Sequence, residues 1–129
     1  MLIFDSVLFD KKNQTMTILN GTQGAYAYAD IVSCKVLNEN KRVHGKGEPF
    51  SATVPPGPLP SGMIFEKAVY VGVKVTLKDG HVLGIYTSSK PTRINTDVYR
   101  VARNEADHIK RIIDRIIEKN RRRDPSSGS

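Results

Sequence analysis

The chain of 129 residues is 39% hydrophobic and carries a formal charge of +7, which is typical of one globular domain with an aliphatic core. Its single cysteine, Cys34, excludes an intramolecular disulfide, and no stretch approaches the roughly 20 apolar residues of a membrane span. The N-terminal apolar stretch is interrupted by Asp5 and has no basic leader, so we expect no signal peptide and a reducing, cytoplasmic location.

The first forty residues have the pattern of short strands joined by tight turns. Residues 2–9 and 14–19 have strand composition, and the Asp10-Lys11-Lys12-Asn13 tetrad between them has turn chemistry, which predicts a hairpin. Asn20-Gly21 is predicted to form the next tight hairpin turn. Two further short strands are predicted, at residues 25–28 and 30–37. Because these strands are short and adjacent, the pattern favours an antiparallel meander over a parallel sheet.

Residues 38–66 are predicted to form one long loop. Gly45-Lys46-Gly47 and the proline run at residues 54–62 are incompatible with a helix or a central strand. A loop of this length is usually functional or disordered. Pro55 and Pro58 have the minimal spacing of a polyproline ligand but no flanking basic residue, so a stiff connecting loop is the favoured interpretation. The glycine pair lacks the other residues of a phosphate-binding motif.

The clearest strand pattern lies at residues 69–87. From Val69 to Leu77, apolar and other residues alternate strictly, which predicts one buried face. Asp79-Gly80 is a turn dipeptide, and residues 81–87 return as the partner strand. We therefore predict a β-hairpin here.

A long amphipathic helix is predicted from Asn95 to Asn120, with Thr96 as a suitable N-cap. Its isoleucine-rich end has low intrinsic helix propensity, so burial against the sheets must stabilise it, and we expect this face to be fully used in covering them. The residues predicted to face the sheets are Val98, Val101, Ala102, Ile109, Ile112, Ile113, Ile116 and Ile117.

Together these elements predict a single α+β domain over residues 1–120, in which about six or seven antiparallel strands are capped by one C-terminal helix. Residues 121–129 are predicted to form a flexible tail that is basic at its start and rich in Ser and Gly at its end.

The segment from Phe65 to Ile117 resembles small bacterial proteins with a pleckstrin-homology-like (PH-like) domain. The resemblance rests on the hairpin VYVGVKVTLKDGHVLGIYTSS and, in the helix, on Tyr99, Ala106 and residues 109–117. It implies bent antiparallel sheets whose open end the helix covers, and because these positions are structural it carries no function. Phosphoinositide-binding members of this superfold place basic residues in the first hairpin. Lys11 and Lys12 are present there, but the strand that follows has no basic residue.

No catalytic residue, cofactor site or metal site is predicted. His44, His81 and His108 have no ligand spacing, and each is interpreted as a surface or half-buried residue. Cys34 lies in an apolar strand and is interpreted as a small core residue. Ser33 and Ser61 have no nucleophile elbow around them, so a non-enzymatic protein is expected.

Basic residues are the candidates for contact with an anionic partner. They occur in the first hairpin, in the glycine-rich loop and at the helix end, where they also complement the helix dipole. The candidates are Lys11, Lys12, Lys41, Arg42, Lys46, Arg121, Arg122 and Arg123.

Three hypotheses of function follow. The first is a protein-interaction module whose partner is another protein or a second copy of the chain, engaged through an exposed strand edge, the helix face or the proline loop. The second is a module that binds an anionic membrane surface. The third is nucleic-acid binding through the diffuse positive charge, which lacks the interleaved aromatic residues of a typical single-strand platform.

Overall fold

The computed structural model describes residues 1–54, 68–94 and 96–123, which form two antiparallel sheets and one long C-terminal helix. The first sheet contains, in spatial order, β1 (Leu2–Ile3), β2 (Val7–Asp10), β3 (Thr15–Ile18) and β4 (Gly24–Ala27). A single 3-10 turn at Tyr28–Asp30 leads to the second sheet, which contains β5 (Ile31–Asn40), β6 (Ala68–Leu77), β7 (Val82–Tyr86) and β8 (Thr92–Arg93). The helix, α1, is Asp97–Arg123. The predicted α+β class, with antiparallel sheets capped by a C-terminal helix, is confirmed.

The hairpin of β6 and β7 is confirmed as predicted. Val69, Val71, Val73 and Val75 are completely buried, and the register runs from Gly72 opposite Tyr86 to Thr76 opposite Val82. At the turn, Gly80 adopts a φ of +91°, a conformation that glycine reaches without steric cost. The strand β8, which the sequence did not predict, pairs with the start of β6.

The predicted strand over residues 2–9 is two strands. The Phe4 amide donates to the Val7 carbonyl oxygen (2.9 Å), which closes a turn and folds β1 back onto β2. The hairpin of β2 and β3 is confirmed, with Val7 opposite Ile18. In its turn, the Asn13 amide donates to the Asp10 carboxylate (3.1 Å), as the turn chemistry of the sequence predicts.

Asn20-Gly21 lies in the turn between the antiparallel strands β3 and β4, as predicted, but the connection is longer than a tight hairpin turn, and these residues also bond to the second sheet. Five residues separate β3 from β4. The Tyr86 amide donates to the Asn20 carbonyl, and the Thr22 amide donates to the Gly84 carbonyl (both 2.9 Å). A Cβ atom on Gly21 would lie 1.9 Å from the Gly84 carbonyl oxygen, so only glycine allows this close approach.

The helix packs on both long strands of the second sheet. The Thr96 hydroxyl accepts the Tyr99 amide (3.2 Å), which confirms the predicted N-cap. Ala106, Ile109 and Ile113 are completely buried. The helix continues to Arg123, so the first three residues of the predicted flexible tail are helical.

Two positions of the predicted helix face are wrong. Val98 and Val101 are 65% and 69% exposed. Val101 lies about 100° around the helix axis from the buried Ala102, whereas Val98 lies on the side of the buried stripe but in the first turn of the helix. The isoleucines of the second half are buried, apart from Ile112, which is partly buried. The apolar pattern of the first half therefore covers an exposed flank as well as the core.

The predicted long loop begins too early, since residues 38–40 are the end of β5. The segment 41–54 folds against the second sheet: the Asn40 amide donates to the Ala52 carbonyl (2.9 Å), and the Val54 amide donates to the Asn38 carbonyl (2.8 Å). Residues 55–66 of the predicted loop, with their prolines and Ser61, and residues 124–129 of the predicted tail lie outside the described residues.

Candidate functional site

The predicted basic residues occupy different parts of the surface. Lys11 and Lys12 are exposed in the turn between β2 and β3. Lys41, Arg42 and Lys46 are exposed in the segment 41–54, and Arg121 and Arg122 are exposed in the last turn of α1, which ends at Arg123. The structure brings Lys11 to the helix. A separate depression beside residues 20–23 is lined by His44, Gly45 and Gly47 and not by the basic residues of the segment 41–54.

A cavity of about 300 Å³ lies between the first hairpin and the second half of α1, and we call it the hairpin–helix cavity. Its lining is mainly apolar and is supplied by Leu2, Phe9, Tyr28, Ile112 and Ile116, among others. Three basic side chains complete the lining, those of Lys11, Arg115 and Lys119. The isoleucine face is therefore not fully used in covering the sheets, contrary to the expectation from the sequence.

The walls of this cavity are held by hydrogen bonds from distant parts of the chain. The Asn120 amide nitrogen, Nδ2, donates to the carbonyl oxygens of Tyr28 (2.7 Å) and Ile31 (3.2 Å), which attaches the end of α1 to the start of the second sheet. The Tyr28 amide donates to the Gln14 carbonyl oxygen (2.9 Å) and so attaches the first hairpin to the same turn. These bonds connect Gln14, Tyr28 and Asn120, three residues that line the cavity from different segments.

The basic residues of the cavity are electrostatically uncompensated. None of the three makes an ion pair with a carboxylate of the described residues, although neighbouring pairs do form on the helix, between Lys110 and Asp114 (2.6 Å) and between Arg122 and Glu118 (3.4 Å). From residue 111 to 123 the chain has six basic and two acidic residues. Positive charge beside apolar surface is an arrangement that attracts an amphipathic anion.

The sequence interpretation missed Arg115 and Lys119. A signal for them was present, since they are four residues apart and each lies next to an apolar position of the helix, Ile112 or Ile116. What the sequence did not contain is the position of Lys11 relative to this flank, because the two segments are distant along the chain.

A second cluster of polar side chains surrounds Glu39 on the outer face of the second sheet. Glu39 is completely buried, and its carboxylate accepts the Tyr86 hydroxyl (2.6 Å) and the Phe50 amide (2.7 Å). His44 Nδ1 lies 2.7 Å from the other carboxylate oxygen, and its ring stacks on Tyr70 with centroids 3.6 Å apart. Burial and the Glu39 carboxylate raise the pKa of the Tyr86 hydroxyl. Because both oxygens of Glu39 already have internal partners, the cluster holds the segment 41–50 to the sheet.

Cys34 is buried, as interpreted from the sequence. Burial and the nearby Asp114 carboxylate, whose Oδ1 lies 3.3 Å from Sγ, raise the pKa of the thiol to about 12. A thiol with this pKa is protonated at neutral pH and is a poor nucleophile. Among the described residues, no group of three or more His, Cys, Asp and Glu side chains could hold a metal ion.

Comparison with known proteins does not assign a function to the chain. The chain matches no protein-family model, no curated protein and no solved structure. No helix in the ranges that the structure describes combines the length and apolar character needed to cross a membrane. Function is therefore argued from the geometry and charge of the hairpin–helix cavity.

Proposed function

We propose that the protein is a non-enzymatic interaction module that binds a segment of polypeptide in the hairpin–helix cavity, through apolar side chains flanked by carboxylates. The observation that carries this proposal is the apolar cavity with three basic side chains that have no carboxylate partner among the described residues. The antiparallel sheets, the closing helix and the resemblance of residues 65–117 support a PH-like module. The buried free thiol of Cys34 supports a reducing, cytoplasmic location.

The size and lining of the cavity match this kind of ligand. A volume of about 300 Å³ is at the small end for ligand pockets, so it accommodates a few side chains rather than a large cofactor. Burial of those side chains against Phe9, Ile112 and Ile116 supplies most of the affinity, at roughly 25 cal/mol per Å² of apolar surface. The basic rim adds orientation and a faster association rate.

The proposal is tested by selecting binders from a random peptide library displayed on phage and measuring their affinity by fluorescence anisotropy. We expect the selected peptides to combine Asp or Glu with large apolar residues. The double variant Arg115→Glu/Lys119→Glu should weaken binding by at least about tenfold, because it replaces attraction by repulsion. The matched control Lys35→Glu/Lys78→Glu makes the same change in net charge at exposed positions outside the cavity.

Two results would contradict this proposal. One is the absence of any binder from the library. The other is an equal loss of affinity in the two double variants, which would show that only net charge matters.

A second candidate function is binding to an anionic membrane surface. It is favoured by Met1, Leu2 and Ile3, which are 73%, 51% and 70% exposed at the strand next to Lys11. We expect sedimentation with phosphatidylcholine vesicles only when phosphatidylserine is added, and loss of sedimentation in Ile3→Asp. Equal sedimentation with both kinds of vesicle, or with neither, contradicts it. Nucleic-acid binding stays a prediction of the sequence, with no additional observation in its favour.

A further inference from the structure

A second apolar surface lies at the other end of α1 and has the opposite charge. Val98 and Val101 are largely exposed there and line a groove of about 570 Å³ beside the segment 87–92. Three carboxylates line this groove, those of Asp5, Asp97 and Glu105, against the single ammonium group of Lys90 among the described residues. We call this surface the acidic groove.

The carboxylates of the acidic groove are poorly neutralised within the chain. Among the described residues, Asp97 makes only a long, exposed ion pair with Arg100 (3.6 Å). Glu105 is half-buried and makes no ion pair within the described part of the chain, and its burial together with the charge of Asp5 raises the pKa of its carboxyl group. A cation that bound beside Glu105 would therefore stabilise its charged carboxylate.

The acidic groove has the chemistry that the hairpin–helix cavity selects. Along the helix, the exposed pair Val98 and Val101 is bracketed by Asp97 and Glu105, and Arg100 between them pairs with Asp97. With Asp5 and Lys90 counted, carboxylates still outnumber cations around the two valines. The cavity has apolar walls bordered by Lys11, Arg115 and Lys119. The two surfaces are complementary both in charge and in apolar character.

The two surfaces cannot meet within one chain. Both lie on α1, and the rise of an α-helix separates their centres by about 20 Å. Each surface is thus available to another molecule.

We infer that the partner of the hairpin–helix cavity is a second copy of this chain, which inserts the exposed Val98 and Val101 side chains that border its acidic groove. This inference rests on the function proposed above, and it names the partner of the same site. Because the two contacting surfaces differ, the contact is head-to-tail, and repetition of it gives a ring or an open filament rather than a two-fold dimer. Each copy in such an assembly contacts one neighbour through its acidic groove and another through its hairpin–helix cavity.

The inference is tested by measuring mass with size-exclusion chromatography and light scattering over a range of protein concentrations. The cavity variant is Arg115→Glu/Lys119→Glu, and the groove variant is Val98→Lys/Val101→Lys, whose sites are exposed and do not disturb the core. We expect the wild type to assemble progressively with concentration and each variant to be monomeric. The control Lys35→Glu/Lys78→Glu should assemble as the wild type does.

Mixing the two variants gives the decisive result. Each variant keeps one working surface, so an equimolar mixture should form dimers of one copy of each and nothing larger. A strictly monomeric wild type, a mixture that stays monomeric, or a cavity variant that still dimerises would each overturn the inference. If the wild type is monomeric but library peptides still bind through Arg115 and Lys119, the inference fails while the proposed function stands. If peptides also fail to bind, both fail.

Discussion

The buried carboxyl group of Glu39 has hydrogen-bond partners within the chain, whereas the basic side chains of the hairpin–helix cavity are exposed and have no carboxylate partner among the described residues. Glu39 is completely buried, and both of its carboxylate oxygens contact groups of the same chain. Lys11, Arg115 and Lys119 lie at the surface beside apolar walls and pair with no carboxylate of the described residues. A buried charge without a partner would cost several kcal/mol, whereas an exposed cation costs almost nothing. The paired cluster therefore supports the fold, and the unpaired cations remain available for a ligand.

The strongest test of this comparison is Glu39→Ala. It removes the acceptor for the Tyr86 hydroxyl and the Phe50 amide and leaves both groups buried without a partner. We expect the free energy of unfolding in urea to fall by roughly 3–5 kcal/mol. The control Glu48→Ala, at an exposed position, should change it by less than about 0.5 kcal/mol. A similar, small change in both variants would show that the cluster does not stabilise the fold.

A smaller effect is expected for Tyr86→Phe, which keeps the ring on Phe50 but removes the hydroxyl. Glu39 retains its other partners, so we expect a loss of about 1.5–3 kcal/mol, as for a hydrogen bond to a charged group. Tyr70→Phe is the matched control because it also removes a hydroxyl and keeps the ring stacked on His44. It should lower the free energy of unfolding by less than Tyr86→Phe does. Equal losses in the two variants would mean that ring packing, not the bond to Glu39, matters.

Cys34 extends the comparison to a buried thiol whose nearest acceptors are the Asp114 carboxylate (3.3 Å) and the Lys110 carbonyl oxygen (3.9 Å). Its folded pKa of about 12 is above the ordinary value of 9.0. Above pH 9 the unfolded chain loses the thiol proton while the folded chain keeps it, so stability that is complete below this pH falls as the pH rises towards 12. Tyr28 and Tyr86, whose pKa values are also raised, act in the same direction.

We therefore expect urea unfolding, measured from about pH 8 to about pH 10.5, to show a shallower decline in Cys34→Ala than in the wild type. Identical declines would show that the thiol titrates alike in the folded and unfolded chains.

The smallest effect on stability is expected where the effect on binding is largest. Arg115→Gln/Lys119→Gln removes two exposed charges that pair with no carboxylate in the described part of the chain, so the free energy of unfolding should change by less than about 0.5 kcal/mol. The same variant should weaken self-association and peptide binding. If the free energy of unfolding fell by more than about 1 kcal/mol, Arg115 and Lys119 would stabilise the fold as Glu39 does, and the contrast between the two regions would be lost.

Elements set by neighbouring residues were predicted well. The alternating valines and Asp79-Gly80 define the hairpin of β6 and β7, and Thr96 marks the start of α1. Predictions failed where a distant segment decides the conformation. Asn20-Gly21 has ideal hairpin chemistry, yet Asn20 exchanges hydrogen bonds with Tyr86, and the next residue, Thr22, donates to Gly84, both more than sixty residues away.

Part of the candidate site could also be predicted from the sequence. Lys11 was among the basic candidates, but most of the other candidates lie outside the cavity. Arg115 and Lys119 were not singled out, because a position beside Ile112 or Ile116 does not by itself distinguish a cation that borders a cavity from one that faces solvent on a helix with many basic residues. Val98 and Val101 were assigned to the core for a similar reason, since periodicity does not define how wide the covered face is.

The sequence by itself determined the antiparallel strands, the closing helix and the excess of positive charge, because strand alternation, turn chemistry and helical periodicity depend on residues close along the chain. Only the tertiary structure decided that Lys11 meets Arg115 and Lys119 around an apolar cavity, and that Val98 and Val101 stay exposed among carboxylates. Those arrangements depend on contacts between segments far apart along the chain. The physical reason is that burial and pairing of charges are properties of the packed molecule.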